Sequence, residues 1–263
     1  MSGGRLWFYT NYHCNLACRY CLTESRPDAP RRVLDADAIV AAAGEAVTLG
    51  FTAFGVTGGE PFLRPDMPSL LAHLGSLLPT VVLTNGTLFT DRLLDALLPL
   101  VSLPVALQIS LDSAEPDVND AQRAQGNFAK VVAAIPRCRA LGLKVRIGTT
   151  VHDADPGELE RLCELHRSLG IADDDHIVRP IVRRGRAQTN GLGVGVALED
   201  LPAELTLTAE GAFWSPAGPT VTENRLDIDY LLTRTIHPLA IPVDAMARYA
   251  NAKPFREPAL TVT

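Results

Sequence analysis

Three cysteines, Cys14, Cys18 and Cys21, fall within eight positions near the start of the chain. Thiolates are soft ligands for iron or zinc, and cysteines this closely spaced on one loop can reach a common centre. Disulfides would be a poor use of them. The chain has five cysteines, an odd number, and this crowding suits a metal or cluster site in a reducing compartment. Three thiolates are one ligand short of a closed tetrahedral site. With His13 as the fourth ligand they would form a structural zinc site, and the chain would be a zinc-stabilised binding module without turnover. Without a fourth protein ligand they would hold a 4Fe-4S cluster and leave one iron open to a small molecule. Spacing alone leaves both open.

The loop carrying these cysteines must sit on something rigid. Short apolar and β-branched runs alternate with longer helical stretches, the pattern of βα units around a parallel sheet. Strands are expected at Leu6–Thr10, Thr52–Val56, Thr80–Thr84, Val105–Ser110, Lys144–Thr149 and His176–Ile181. The stripes Ile39, Val40, Ala43, Val47 and Leu159, Leu162, Leu165, Leu169 give two of the intervening helices a buried side. Gly50, Gly142 and Gly170 each close such a stripe, and Asp155 with Pro156 and Glu158 reads as a helix start. Pro136, inside the helical stretch from Phe128 to Leu141, predicts a kink. The cysteine loop therefore follows strand one, at the sheet end where barrel active sites lie.

Further motifs fall at the next strand ends. Gly58-Gly59-Glu60-Pro61 follows strand two, Thr84-Asn85-Gly86 strand three and Ser110-Leu111-Asp112 strand four. Asn119-Asp120, Arg123, Gly126 and Phe128 come after them. In this order, and with Tyr20 before the last cysteine, these segments resemble the signature of the radical SAM superfamily over roughly residues 6–187. Asn119 departs from it, standing where histidine is common.

The resemblance implies an α/β fold, a partial (β/α)6 barrel, with one 4Fe-4S cluster on Cys14, Cys18 and Cys21 and S-adenosylmethionine on its open iron. It implies an enzyme that cleaves S-adenosylmethionine to a 5'-deoxyadenosyl radical, which removes a hydrogen atom from substrate. Cofactor-binding residues would be Tyr20, Gly58, Gly59, Glu60, Pro61, Asn85, Ser110, Asp112 and Arg123. The two glycines would let backbone approach the ligand, Glu60 would take the methionyl ammonium, and Arg123 its carboxylate. Tyr20 would lie against adenine, and Ser110, ranked above Asp112, would meet polar groups of the cofactor.

After Ile181 the texture changes. Arg179-Pro180, Gly185-Arg186-Ala187 and the hairpin pattern from Leu205 to Pro216 resemble the exit from the barrel into a SPASM domain, but no cysteine follows Cys163. The expectation is a barrel over residues 1–187 and a degenerate, cluster-free SPASM-like cap over residues 188–263, with helices at Asp227–Thr235 and Val243–Asn251. Cys138 and Cys163 lie on helical stripes and read as small core residues. Arg179, Arg183, Arg184 and Arg186 read first as a solvated charged surface and second as a site for an anionic substrate group.

A net charge of -6 argues against a nucleic-acid partner, and no apolar run reaches the ~18 residues of a spanning helix. A cytoplasmic enzyme without membrane contact is expected, served by an electron donor such as flavodoxin or ferredoxin. The substrate class is a small molecule or a peptide in a biosynthetic pathway. Thirteen residues precede Cys14, so a peptide substrate would call for a separate recognition protein.

Overall fold

The computed structural model describes residues 4–151 and 156–251. Each of the six apolar runs is a strand: β1 Arg5–Tyr9, β2 Ala53–Thr57, β3 Thr80–Thr84, β4 Val105–Ser110, β5 Lys144–Val151 and β6 His176–Pro180. They lie side by side in chain order and all parallel, a partial barrel that does not close. Six helices alternate with them: α1 Ala36–Thr48, α2 Met67–Leu77, α3 Asp91–Leu97, α4 Pro116–Gln122, α5 Asn127–Ala140 and α6 Pro156–Ser168.

Alternation along each strand divides the two faces. Leu6, Phe8, Phe54, Val82, Leu107 and Ile147 pack outward in one core with Ile39, Leu71, Leu97 and Ile135 of the helices. The alternate residues Trp7, Tyr9, Gly55, Gln108 and Thr150 belong to the inner face. Gly55 makes room there, because a Cβ on it would stand 2.3 Å from the Trp7 ring.

Helix ends follow local chemistry. Asp35 caps α1 by accepting from the backbone of Asp37 and Ala38, and Gly50, Gly142 and Gly170 close their helices at φ of +83°, +85° and +75°. The start expected at Asp155 lies outside the described residues. α5 runs unbroken through Pro136, which sits on its exposed side, where water can take the carbonyl that the proline leaves free. The buried stripe of α1 is Ile39, Ala42, Ala43 and Ala46, whereas Val40 and Val47 face solvent.

Beyond β6 come a short helix, α7 Arg186–Thr189, the strands β7 Thr206–Thr208, β8 Gly211–Phe213, β9 Thr220–Thr222, β10 Arg225–Asp227 and β11 Leu231–Thr233, and the helix α8 Ala240–Asn251. The expected hairpin is β7–β8, with Thr208 opposite Gly211. β7 lies parallel to β1, so the hairpin and β11 extend the main sheet on the β1 side. The helix expected at Asp227–Thr235 is corrected: Asp227 Oδ1 accepts from Asp229 N in a tight turn, and Leu231 then pairs with Phe213. Tertiary pairing overrides the local helical spacing there.

One core residue resists protonation. His166 on α6 is 1% exposed, edge-on to His176, and neither ring nitrogen has a hydrogen-bond partner among the described residues. Burial, with His176 alongside, pushes it down to about 3. In the unfolded chain it titrates near 6.5, so between those values the unfolded state binds the extra proton and stability falls as pH falls. Between about pH 7 and pH 5 the wild type should lose roughly 2 kcal/mol more than His166→Leu, read by urea unfolding at both pH values. An equal loss in both proteins would contradict this assignment.

Candidate functional site

The strand ends converge on one cavity. Cys14, Cys18, Tyr20 and Cys21 line it from the loop after β1, Gly58 and Gly59 from β2, Asn85 from β3, Ser110 from β4 and Arg123 from the turn after α4. Nine of the twelve expected site residues thus meet there. Glu60, Pro61 and Asp112 do not line it.

The cysteine loop is fixed by backbone. Gly59 N donates to Asn11 O at 2.7 Å and Glu60 N to His13 O at 3.1 Å. A Cβ on Gly58 would stand 2.7 Å from Asn11 O, and one on Gly59 2.2 Å from His13 O. The two glycines therefore admit the protein's own loop, where the sequence suggested the approach of a ligand. From the other side Arg186 holds the loop, with Nη1 donating to Cys18 O at 2.7 Å and Nη2 to Ser25 O at 3.1 Å.

Glu60 is fully buried and its carboxylate is engaged within the fold. Oε1 accepts from Phe62 N at 3.1 Å and from the Thr84 hydroxyl at 2.8 Å, and Oε2 accepts from Asn85 N at 2.8 Å. It brackets the ends of β2 and β3. Burial pushes its carboxyl up, and the Asn85 and Thr84 donors work against that. Pro61 opens the single 3-10 turn that follows, itself buried.

Asp112 is likewise internal. Its Oδ2 accepts from Arg123 Nη1 at 3.0 Å and from the Tyr20 hydroxyl at 2.5 Å, while Oδ1 accepts from Thr150 N at 3.0 Å. Asn119 takes the place of the histidine and holds this strand end, its Oδ1 accepting from Asp112 N. Arg123 is 8% exposed, and its Nε is buried with no hydrogen-bond partner among the described residues.

The donor set fits an iron-sulfur cluster. Leu16 N and Ser25 N point at the sulfurs of Cys14 and Cys21 at 3.3 Å each, and Asn85 Nδ2 lies 3.6 Å from Cys14 Sγ. Such N–H···S contacts suit thiolate ligands. Burial and the nearby Glu60 push the Cys14 thiol up to about 12, and burial takes Cys18 to about 11 although Arg123 works against it. Both would stay protonated near neutrality without a bound cation, so iron would supply the charge that the thiolates need. Zinc fits less well: His13 does not line the cavity and its ring stands 3.4 Å from Asn11 Nδ2. No three His, Cys, Asp or Glu side chains among the described residues are grouped to hold a single metal ion.

Residues outside the motifs complete the lining, among them Gln108, Gly148, Thr150, Arg179 and Pro216. Inward alternation on the expected strands could have found Gln108 and Thr150. Pro216, brought in by the C-terminal region, carried no signal. Cys138 and Cys163 stay out of the cavity: Cys138 is in the core, and Cys163 Sγ lies 3.6 Å from His176 Nδ1. No helix among the described residues is long and apolar enough to cross a membrane.

If the Glu60 carboxylate serves the fold rather than a ligand, Glu60→Gln should lower stability by about 2 kcal/mol in urea unfolding, since an amide cannot accept from all three donors. Unchanged stability would return Glu60 to a ligand-binding role.

The sequence profile described as Radical SAM superfamily matches residues 9–166. The PqqA peptide cyclase of Ruegeria pomeroyi is 34% identical over 162 residues, which are 60% of this chain and 42% of that one. GTP 3',8-cyclase 1 of Mycobacterium tuberculosis is 32% identical over 167 residues, 59% of this chain and 46% of that one. The chain spans less than half the length of these two curated relatives. Among solved structures, anSMEcpe with bound AdoMet superposes with a TM-score of 0.63 at 13% identity, covering 94% of this chain and 77% of that one, a likeness of fold.

Proposed function

The chain belongs to the radical SAM superfamily, and we propose that it cleaves S-adenosylmethionine reductively at one 4Fe-4S cluster held by Cys14, Cys18 and Cys21. The radical so made takes a hydrogen atom from a peptide or small-molecule substrate in a biosynthetic pathway. The observation that carries the reading is the meeting, in one cavity, of three cysteines, two of them with N–H groups directed at their sulfurs, and polar strand ends able to hold a zwitterionic cofactor. When bound, the cluster supplies one electron and an open iron, and S-adenosylmethionine supplies the 5'-deoxyadenosyl group.

The chain's own residues bind and orient. Arg123, which lines the cavity, takes the cofactor's carboxylate beside Ser110. Tyr20 gives its ring to adenine while its hydroxyl, between Arg123 and Asp112, keeps that ring in place. Asn85 steadies Cys14, and Glu60 and Asp112 act from behind by holding the strand ends. Gly58 and Gly59 let the cysteine loop close down on β2.

Residues 1–187 form the catalytic barrel, and residues 188–263 act as a SPASM-like cap without a cluster. Support for the cap is that no cysteine follows Cys163 and that Pro216 and Ala217 line the cavity. A one-electron donor of the flavodoxin or ferredoxin kind and a reducing cytoplasm complete the reading. A relative named for a peptide and another named for GTP support the two substrate classes.

Anaerobic purification should yield about four iron and four sulfide per chain. With reductant, wild type should form 5'-deoxyadenosine and Cys18→Ala should not. One zinc without sulfide would favour the binding module, and equal formation by both proteins would refute the assigned ligands.

A further inference from the structure

Four arginines after β5 look alike in sequence, and the fold gives three of them partners. Arg183 donates from Nε and Nη2 to Gly193 O at 3.0 and 2.6 Å. Arg184 pairs with Asp227 at 2.7 Å and lies over the Tyr230 ring. Arg186 is committed to the cysteine loop. Arg179 differs. Its side chain lines the cavity and makes no hydrogen bond or ion pair among the described residues.

Arg146 and Arg5 work against its charge, and Tyr20 and Glu204 favour it. Glu204, however, accepts from Trp7 Nε1 at 2.5 Å and pairs with Arg5 at 3.9 Å, and Arg146 pairs with Asp175 at 3.6 Å. Among the described residues, the carboxylates that face these arginines are thus already engaged, Glu204 by Trp7 and Arg5 and Asp175 by Arg146. Burial, with Arg146 next, brings Arg179 down to about 10. Arg179 is partly exposed and opens on the cavity, so a guanidinium without a partner there can take an anion that enters.

A second polar group faces the same space. Gln108 is 3% exposed, lines the cavity, and its amide has no hydrogen-bond partner among the described residues. It lies across Gly148, where a Cβ would stand 2.9 Å from its Nε2. Thr150, the register partner of Arg179, belongs to the same wall. This wall runs from Gln108 on β4 to Arg179 on β6 and borders Ser110, the end of β4, which was read above as meeting the cofactor.

We propose that Arg179, with the Gln108 amide on the same wall, anchors a carboxylate of the substrate. The inference rests on the reading that substrate meets the radical chemistry in this cavity. A carboxylate suits the site because a planar guanidinium takes it through two parallel hydrogen bonds, and the Gln108 amide can donate to the same group.

Residue-resolved modification tests this without knowing the substrate. The reconstituted protein, saturated with S-adenosylmethionine, is treated with phenylglyoxal and its arginines are followed by peptide mass spectrometry. Arg179 should react about tenfold faster than the paired Arg184, and N-acetylglycine should slow it at least about fivefold. Neutral N-acetylglycinamide should not slow it, and inorganic phosphate should do so less than N-acetylglycine. Equal protection by acid and amide, no protection by the acid, or stronger protection by phosphate would overturn the proposal. So would an Arg179 already silenced by S-adenosylmethionine alone, which would assign it to the cofactor. The same preparation is assayed for 5'-deoxyadenosine with reductant. Failure of that assay strikes the reading of the cavity, and failure of the protection pattern strikes Arg179.

Discussion

The site depends on a carboxylate that never meets solvent. Glu60 is fully buried, and the cost of stripping water from a carboxylate is several kcal/mol. Three donors, Phe62 N, the Thr84 hydroxyl and Asn85 N, return roughly 1.5–3 kcal/mol each as hydrogen bonds to a charged acceptor. The two sums are of the same order, and the carboxyl stays raised despite the donors. An arrangement so close to balance holds only if all three donors are in place, so it fixes their positions relative to one another.

From that bracket the rest of the strand-end geometry follows. Asn85, held by its backbone to Glu60, carries the amide that reaches Cys14 Sγ. Glu60 N holds His13 O, one residue before Cys14. The loop is gripped again from the far side by Arg186, and Gly185 lies so close that a Cβ would stand 2.1 Å from Leu22 O. Cysteines on a loop need this, because three sulfurs must be presented to one centre with little freedom to spare. The Arg123–Asp112 pair does the equivalent on the other flank, joining the Tyr20 hydroxyl to the end of β5 through Thr150 N.

Much of this was legible in the sequence, for physical reasons. A parallel strand packed under helices needs apolar and β-branched residues on its outer face, so six short runs of such residues mark the six strands to within two residues. Cysteine spacing and strand-end motifs marked the place of the site. What residue types cannot tell is which way a polar group faces. Glu60 and Asp112 have the chemistry of ligand-binding groups, yet the oxygens of each accept from donors of the protein itself, backbone and side chain. The stretch from Asp227 to Thr235 was misjudged because Leu231 finds a strand partner in Phe213, more than a dozen residues earlier, which no local period encodes. Four arginines could not be ranked until the fold had paired three of them.

The later part of the chain brings an apolar turn to the cavity, for Pro216 and Ala217 of the turn at Ser215–Gly218 line it. Removal of a chosen hydrogen atom demands that one carbon be held near the radical source, and misplacement by about an ångström costs orders of magnitude in rate. Apolar contact alone gives affinity without direction. Direction has to come from groups of fixed geometry on rigid elements, and the strand wall supplies them: Gln108 on β4, Thr150 on β5 and Arg179 on β6. A guanidinium without a hydrogen-bond partner among the described residues, set on such a wall, attracts an anion at the place where orientation is needed.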